Sequence, residues 1–258
     1  MHRKVFMRLG RRAATLLATT ALALPPSCPA FGPSASSASA AVLFLHALGD
    51  SGDATSRYLK QSDAGGFVSG LEAAGVRLLF PDSDQIPYRM AGGRTMSAWY
   101  DRAGLPPTAK EQRASVEASV GRLEAMLREL EAEGVPPSRV AVGGFSQGGG
   151  VALQLAYRGS ELGAALAGVF VLSSYANDDS PMWSSLAEAP SRRRPPLFQR
   201  HGGADGYILP AWGEATAGAL RARGVDVDFG VEPGLRHSLG DAELAALRGW
   251  LLGRLGEG

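Results

Sequence analysis

The run Arg139-Val140-Ala141-Val142-Gly143-Gly144-Phe145-Ser146-Gln147-Gly148-Gly149-Gly150-Val151-Ala152-Leu153-Gln154-Leu155-Ala156 decides how this chain folds. Its opening residues form an apolar, strand-like segment and Val151 to Ala156 read as a helix, with Gly144-Phe145-Ser146-Gln147-Gly148 between them. Small residues two positions before and after Ser146 let a strand reverse into a helix within a few residues. The strained turn lifts the serine hydroxyl clear of its neighbours. The helix N-terminus that follows points free backbone N–H groups at the place where negative charge would develop on an attacked carbonyl. Ser146 is therefore the candidate nucleophile, and the N–H of Gln147 a candidate oxyanion donor.

A serine nucleophile needs a base and an acid, and with this type of elbow they follow in the order serine, acid, histidine. Two histidines come after Ser146. His201 ends the apolar strand Leu197-Phe198-Gln199-Arg200-His201, where a histidine commonly packs or caps. His237 lies in Glu232-Pro233-Gly234-Leu235-Arg236-His237-Ser238, a loop between a strand and the last helix, and is the expected base. Asp205, in His201-Gly202-Gly203-Ala204-Asp205, has the order and position of the acid. Asp226 and Asp228 alternate with Val225, Val227 and Phe229 and read as the solvent face of a strand. Asp178 and Asp179 fall one strand too early and read as turn and cap residues. A second oxyanion donor is expected from the loop after the first strand, at the N–H of Leu48.

Leu45-His46-Ala47-Leu48-Gly49-Asp50-Ser51-Gly52, Met96-Ser97-Ala98-Trp99-Tyr100-Asp101, Gly144 to Gly149, His201 to Asp205 and Gly234-Leu235-Arg236-His237-Ser238 together resemble the acyl-protein thioesterase and lysophospholipase group. These are small serine carboxylesterases of the α/β-hydrolase fold. The resemblance spans about residues 41 to 255. It implies hydrolysis of carboxylic esters and thioesters, with an acylated protein, a small ester or a lysophospholipid as substrate and no cofactor. A general short-chain carboxylesterase or a lysophospholipase would use the same triad, differing in groove shape. A relative that binds ligands without catalysis is the remaining alternative.

The chain departs from the family pattern in three places. Ala47 stands where the family usually has glycine, which places a methyl beside the expected oxyanion donors. Asp205-Gly206-Tyr207-Ile208-Leu209-Pro210 lacks the first proline of the family's Asp-Pro-Leu-Val-Pro and displaces the second, so a looser Asp205 loop is expected. Residues 81 to 95 match the substrate-side loop only in outline.

Composition fits one globular catalytic domain over residues 41–258, since 258 residues with 45% hydrophobic and 20% charged side chains are enough for one sizeable core. The sole cysteine, Cys28, precedes that core, which rules out an internal disulfide, a cysteine nucleophile and a thiolate-held metal there. No cluster of histidines and carboxylates has metal-ligand spacing. A net charge of +1 and only three lysines argue against a nucleic-acid surface. Residues 1–40 differ in kind. Arg3, Lys4, Arg8, Arg11 and Arg12 precede an uncharged stretch from Ala13 to Leu24, then a Pro-, Ser- and Ala-rich stretch, and no acid occurs before Asp50. This is the pattern of a cleaved targeting segment, and its apolar part is too short to span a bilayer. A secretory route or import into a mitochondrion or plastid fits it, with a cytoplasmic protein carrying a poorly ordered tail as the alternative.

Strand-like runs near 41–46, 76–80, 139–144, 167–172, 196–200 and 225–231 alternate with helical stretches, predicting a mostly parallel sheet covered on both faces. From Glu111 to Glu133, Val116, Val120, Leu123, Leu127 and Leu130 mark one buried helical stripe. Ser238 and Asp241, three apart, suggest a capped start for the last helix, which would bury Leu244, Leu247, Trp250 and Leu251. Pro81 to Thr108 shows no clear period. Loops of that length are commonly functional. Its apolar residues, Met96 and Trp99 among them, are expected to roof an acyl-binding groove beside Ser146, with Trp99 and Tyr100 simply packing the loop down as the alternative.

Overall fold

The computed structural model describes residues 38–189 and 191–256. The targeting segment expected over residues 1–40 therefore lies, up to residue 37, outside the described residues, as does Cys28.

Six parallel strands form the central sheet in the order β2-β1-β5-β6-β7-β8. They are β1 (Ala40–Leu45), β2 (Val76–Leu79), β5 (Val140–Phe145), β6 (Gly168–Leu172), β7 (Leu197–Gly202) and β8 (Val227–Glu232). Each predicted strand is present, its ends shifted by one or two residues. Parallel strands need long crossovers, and here helices supply them. The helices are α1 (Gly52–Ser62), α2 (Phe67–Ala73), α3 (Arg113–Ala132), α4 (Gln147–Tyr157), α5 (Glu161–Ala165), α6 (Met182–Glu188), α7 (Pro210–Arg221) and α8 (Asp241–Leu255).

Strand periodicity sorts the core into two layers. Ala41, Leu43 and Leu45 of β1 face one cluster with Val120, Leu123 and Leu127 of α3 and Val151 and Leu155 of α4. Ala40, Val42 and Phe44 face the other, with Leu59 of α1, Phe67 and Leu71 of α2, and Leu244, Leu247 and Leu251 of α8. Every residue of β1 is buried, as a strand covered on both faces requires. The chain is thus an α/β fold with a single parallel sheet between two helical layers.

Two readings are corrected. The stretch from Pro81 to Thr108 contains a small antiparallel hairpin, β3 (Gln85–Pro87) and β4 (Thr95–Ser97), with Ile86 opposite Met96. Strands of three residues are too short to show a period of two. The start of α8 is capped by Gly240, not Ser238: its N–H donates to the Glu243 carboxylate at 3.3 Å. Glycine has no side chain, so only this half of a capping box can form. Among the described residues no helix is long and apolar enough to cross a membrane.

Candidate active site

Ser146 sits between the end of β5 and the first residue of α4 with φ 53° and ψ −121°. Positive φ costs a non-glycine residue about 1–3 kcal/mol, so the surroundings must hold the turn. They do so with the Ser146 N–H donating to the Leu172 carbonyl at 2.9 Å and the Ser146 carbonyl accepting from Gly149 N–H at 3.0 Å. The flanking glycines serve close approach: a methyl at Gly144 or Gly148 would collide with the Leu45 carbonyl oxygen of β1. The elbow can therefore press its helix against the neighbouring strand.

The loop after β8 brings His237 to the serine, with Nε2 3.1 Å from Oγ. On the other side of the ring, Nδ1 lies 2.7 Å from Asp205 Oδ2. The imidazole packs between the rings of Phe145 and Tyr207, with centroids at 4.7 and 5.4 Å. The Asp205 carboxylate is buried, and its Oδ1 accepts from the N–H groups of Tyr207 and Ile208, both at 2.9 Å. The Asp205 loop, expected to be loose for want of a proline, is instead fastened by the aspartate's own side chain. Ile208 beneath it is buried.

His201 is fully buried, and its Nε2 donates to the Ile208 carbonyl at 2.9 Å while lying 3.6 Å from Asp205 Oδ2. Burial lowers its pKa below the ordinary imidazole range. A neutral ring whose proton is committed to a backbone carbonyl supports the Asp205 loop from below and has no access to Ser146. Asp226 and Asp228 lie on the strand's open side, where Asp228 pairs with Arg200 at 2.9 Å.

The oxyanion side is a tight turn after β1. Asp50 N–H donates to the Ala47 carbonyl at 3.2 Å, and Gly49, with φ 79°, takes the left-handed position. Among the described residues no hydrogen bond is found from the N–H of Leu48, in this turn, or of Gln147, the first residue of α4. His46, which sequence reading left without a role, holds this turn. Its Nδ1 donates to the Ala47 carbonyl at 2.7 Å, and its Nε2 accepts the Ser83 N–H at 3.0 Å. Its burial also lowers its pKa. The Gln147 side chain was missed as well: Oε1 accepts from Trp99 N–H at 2.9 Å and Nε2 donates to the Tyr100 carbonyl at 2.8 Å. These bonds join segments far apart in the chain, and no local pattern signals them.

Trp99 is therefore corrected from groove lining to support. It is 1% exposed, and its indole N–H donates to the His46 carbonyl at 2.9 Å. It packs the strap down behind the oxyanion turn and offers a ligand no ring face. Met96 stays partly exposed and reaches the oxyanion turn at Gly49. Ala47 lines a small pocket together with Phe145 and Ser238.

The family model described as phospholipase/carboxylesterase matches residues 27–252. Lysophospholipase-like protein 1 of Mus musculus is 34% identical over 217 residues, covering 84% of this chain and 87% of that protein. Acyl-protein thioesterase 1 of Neurospora crassa is 28% identical over 232 residues, covering 88% and 91%. The crystal structure of Arabidopsis thaliana SOBER1 matches with a TM-score of 0.71 at 29% identity, over 84% of this chain and 99% of that one. With this fold, and with most of its length matched by the family model, the chain belongs to the phospholipase/carboxylesterase family of α/β-hydrolases.

Proposed function

We propose that the protein hydrolyses carboxylic ester or thioester bonds of acyl groups, as an acyl-protein thioesterase or carboxylesterase, with Ser146, His237 and Asp205 as its triad. The observation that carries this reading is the continuous line Ser146 Oγ, His237 Nε2, His237 Nδ1, Asp205 Oδ2, with steps of 3.1 and 2.7 Å. His237 takes the hydroxyl proton as Oγ bonds to the carbonyl carbon. The resulting oxyanion accepts from the N–H groups of Leu48 and Gln147. Collapse of the tetrahedral intermediate breaks the bond to the leaving alcohol or thiol, which takes the proton from His237. Water then adds to the acyl-serine with the same histidine as base, releasing the carboxylic acid and restoring Ser146. Asp205 holds the ring in the tautomer with its proton on Nδ1 and stabilises the imidazolium. Residues 1–40 are proposed to be a cleaved targeting segment.

The test is hydrolysis of nitrophenyl esters and acyl-thioesters of increasing chain length by the full chain, with Ser146→Ala beside it. Activity that the substitution abolishes supports the serine mechanism. A profile rising with chain length favours acyl-protein or lysophospholipid substrates, and a falling one favours a short-chain carboxylesterase. A folded protein inactive on every ester would return the chain to a ligand-binding role.

A further inference from the structure

Beside the elbow lies a pocket of about 240 Å³ that the triad does not use. Phe44 of β1, His46, Ala47 and Asp50 of the turn after it, Thr55 and Tyr58 of α1, and Phe145, Ser238 and Leu239 line it. Phe145 adjoins Ser146 and Ser238 and Leu239 follow His237, so the pocket borders the two segments that carry the proposed nucleophile and base.

Its electrostatics are one-sided. Asp50 carries the only charge among the lining residues, because burial lowers the His46 pKa against the opposing Ala47 bond, and its Nε2 lone pair accepts the Ser83 N–H. Two of the Asp50 lone-pair positions are taken, by Ser51 N–H at 2.8 Å and Thr55 Oγ at 3.3 Å. A carboxylate has about four such positions, so it can still face a cation. Asp82 adds negative charge nearby, since both it and Asp50 act electrostatically on His46. The neighbouring cation of α1, Arg57, is matched by Asp53 at 2.8 Å. Tyr58, 49% exposed, presents an aromatic ring at the same pocket. A carboxylate and a tyrosine ring on walls that are mostly apolar suit an alkylated ammonium group: apolar contact for its methyls, charge and ring quadrupole for its cation.

We propose that this pocket receives the leaving group of the substrate and selects an alkylammonium-bearing alcohol or thiol over a neutral one of the same shape. This rests on the triad reading above and narrows its substrate class. The probes are the thiobutyrate esters of thiocholine and of 3,3-dimethylbutanethiol, which share the acyl group and differ in the charge at one atom. For the full chain, kcat/KM should favour the thiocholine ester roughly three- to tenfold at low salt. That ratio should fall toward one in Asp50→Asn, fall partway in Tyr58→Leu, and shrink as salt is added. Equal kcat/KM for the two esters, or a preference that neither substitution changes, overturns the proposal while leaving the hydrolase reading intact. Should neither thiobutyrate ester be cleaved, the hydrolase reading is decided by the longer-chain esters above, and the pocket is judged by binding alone. Choline then shifts the amide resonances of Thr55, Tyr58 and Leu239 while 3,3-dimethylbutanol does not; equal shifts, or none, overturn it.

Discussion

Two buried carboxylates brace the same catalytic loop from different sides, and they are treated in opposite ways. Asp205, after β7, receives three N–H donors: two backbone amides at 2.9 Å and the His237 ring at 2.7 Å. Glu243, in the first turn of α8, is equally buried but receives one long bond from Gly240 N–H at 3.3 Å, and its Oε1 has no partner among the described residues. Burial pushes the Glu243 carboxyl up to about 7; the nearby Glu232 charge adds to this, while the Gly240 N–H and Arg200 oppose it. A carboxylate can thus be buried as an orienting charge where donors converge on it. Without them it is a strained group that favours holding a proton.

The most drastic way to break the contrast is to take the charge from the well-served member. Asp205→Asn keeps the acceptor for Tyr207 and Ile208 but turns a donor toward His237 Nδ1, forcing the wrong tautomer. We expect kcat to fall by about four orders of magnitude with little change in Tm, measured on the nitrophenyl ester that the unmodified protein cleaves best. A kcat within tenfold of the parent would remove Asp205 from the acid role.

Glu243→Gln tests the other member through stability. The folded-state value near 7 lies above the ordinary 4.5, so the folded protein binds an extra proton between these two values. The contribution of neutral Glu243 is complete below about pH 4.5 and is lost as pH rises through 7. At pH 8 the substitution should stabilise the protein by on the order of 1–3 kcal/mol, and near pH 5 it should do little. Denaturant unfolding at both values measures this, and a gain equal at the two would show that charge is not the cause. Glu111, on the opposite helical layer, is also pushed up to about 7, by burial and the nearby Asp179, and adds a loss of the same sign over the same window.

The smallest effect should come from Glu232→Gln. Removing that neighbouring charge should lower the pH midpoint of the Glu243-linked stability change by about a few tenths of a unit. An unchanged midpoint would mean that solvent screens Glu232 fully.

How much of this was legible beforehand depended on range. Strand, elbow and helix around Ser146 are encoded within a dozen residues, so nucleophile and fold class could both be read from them. His237 and Asp205 were legible because chain order restricts the candidates, and His201 could be set aside by its place at a strand end. The hairpin from Gln85 to Ser97 was not, because its strands are too short for a period and its residues are held by partners elsewhere. Trp99 shows the cost: an aromatic in an apolar loop reads equally as groove or as wall, and only its bonds to His46 and Gln147 decide.

By itself, the sequence determined that this is a six-strand α/β protein with a serine on a strand–helix elbow, followed in order by the candidate acid Asp205 and the candidate base His237. Periodicity and steric rules act over a few residues and need no knowledge of what lies opposite. Only the tertiary structure decided which side chains brace the oxyanion turn, how the Asp205 loop is fastened, that Glu243 is buried short of donors, and that Asp50 and Tyr58 share a pocket beside His237. These depend on burial and on hydrogen bonds between segments tens of residues apart, which parallel crossovers bring together and a local pattern cannot record.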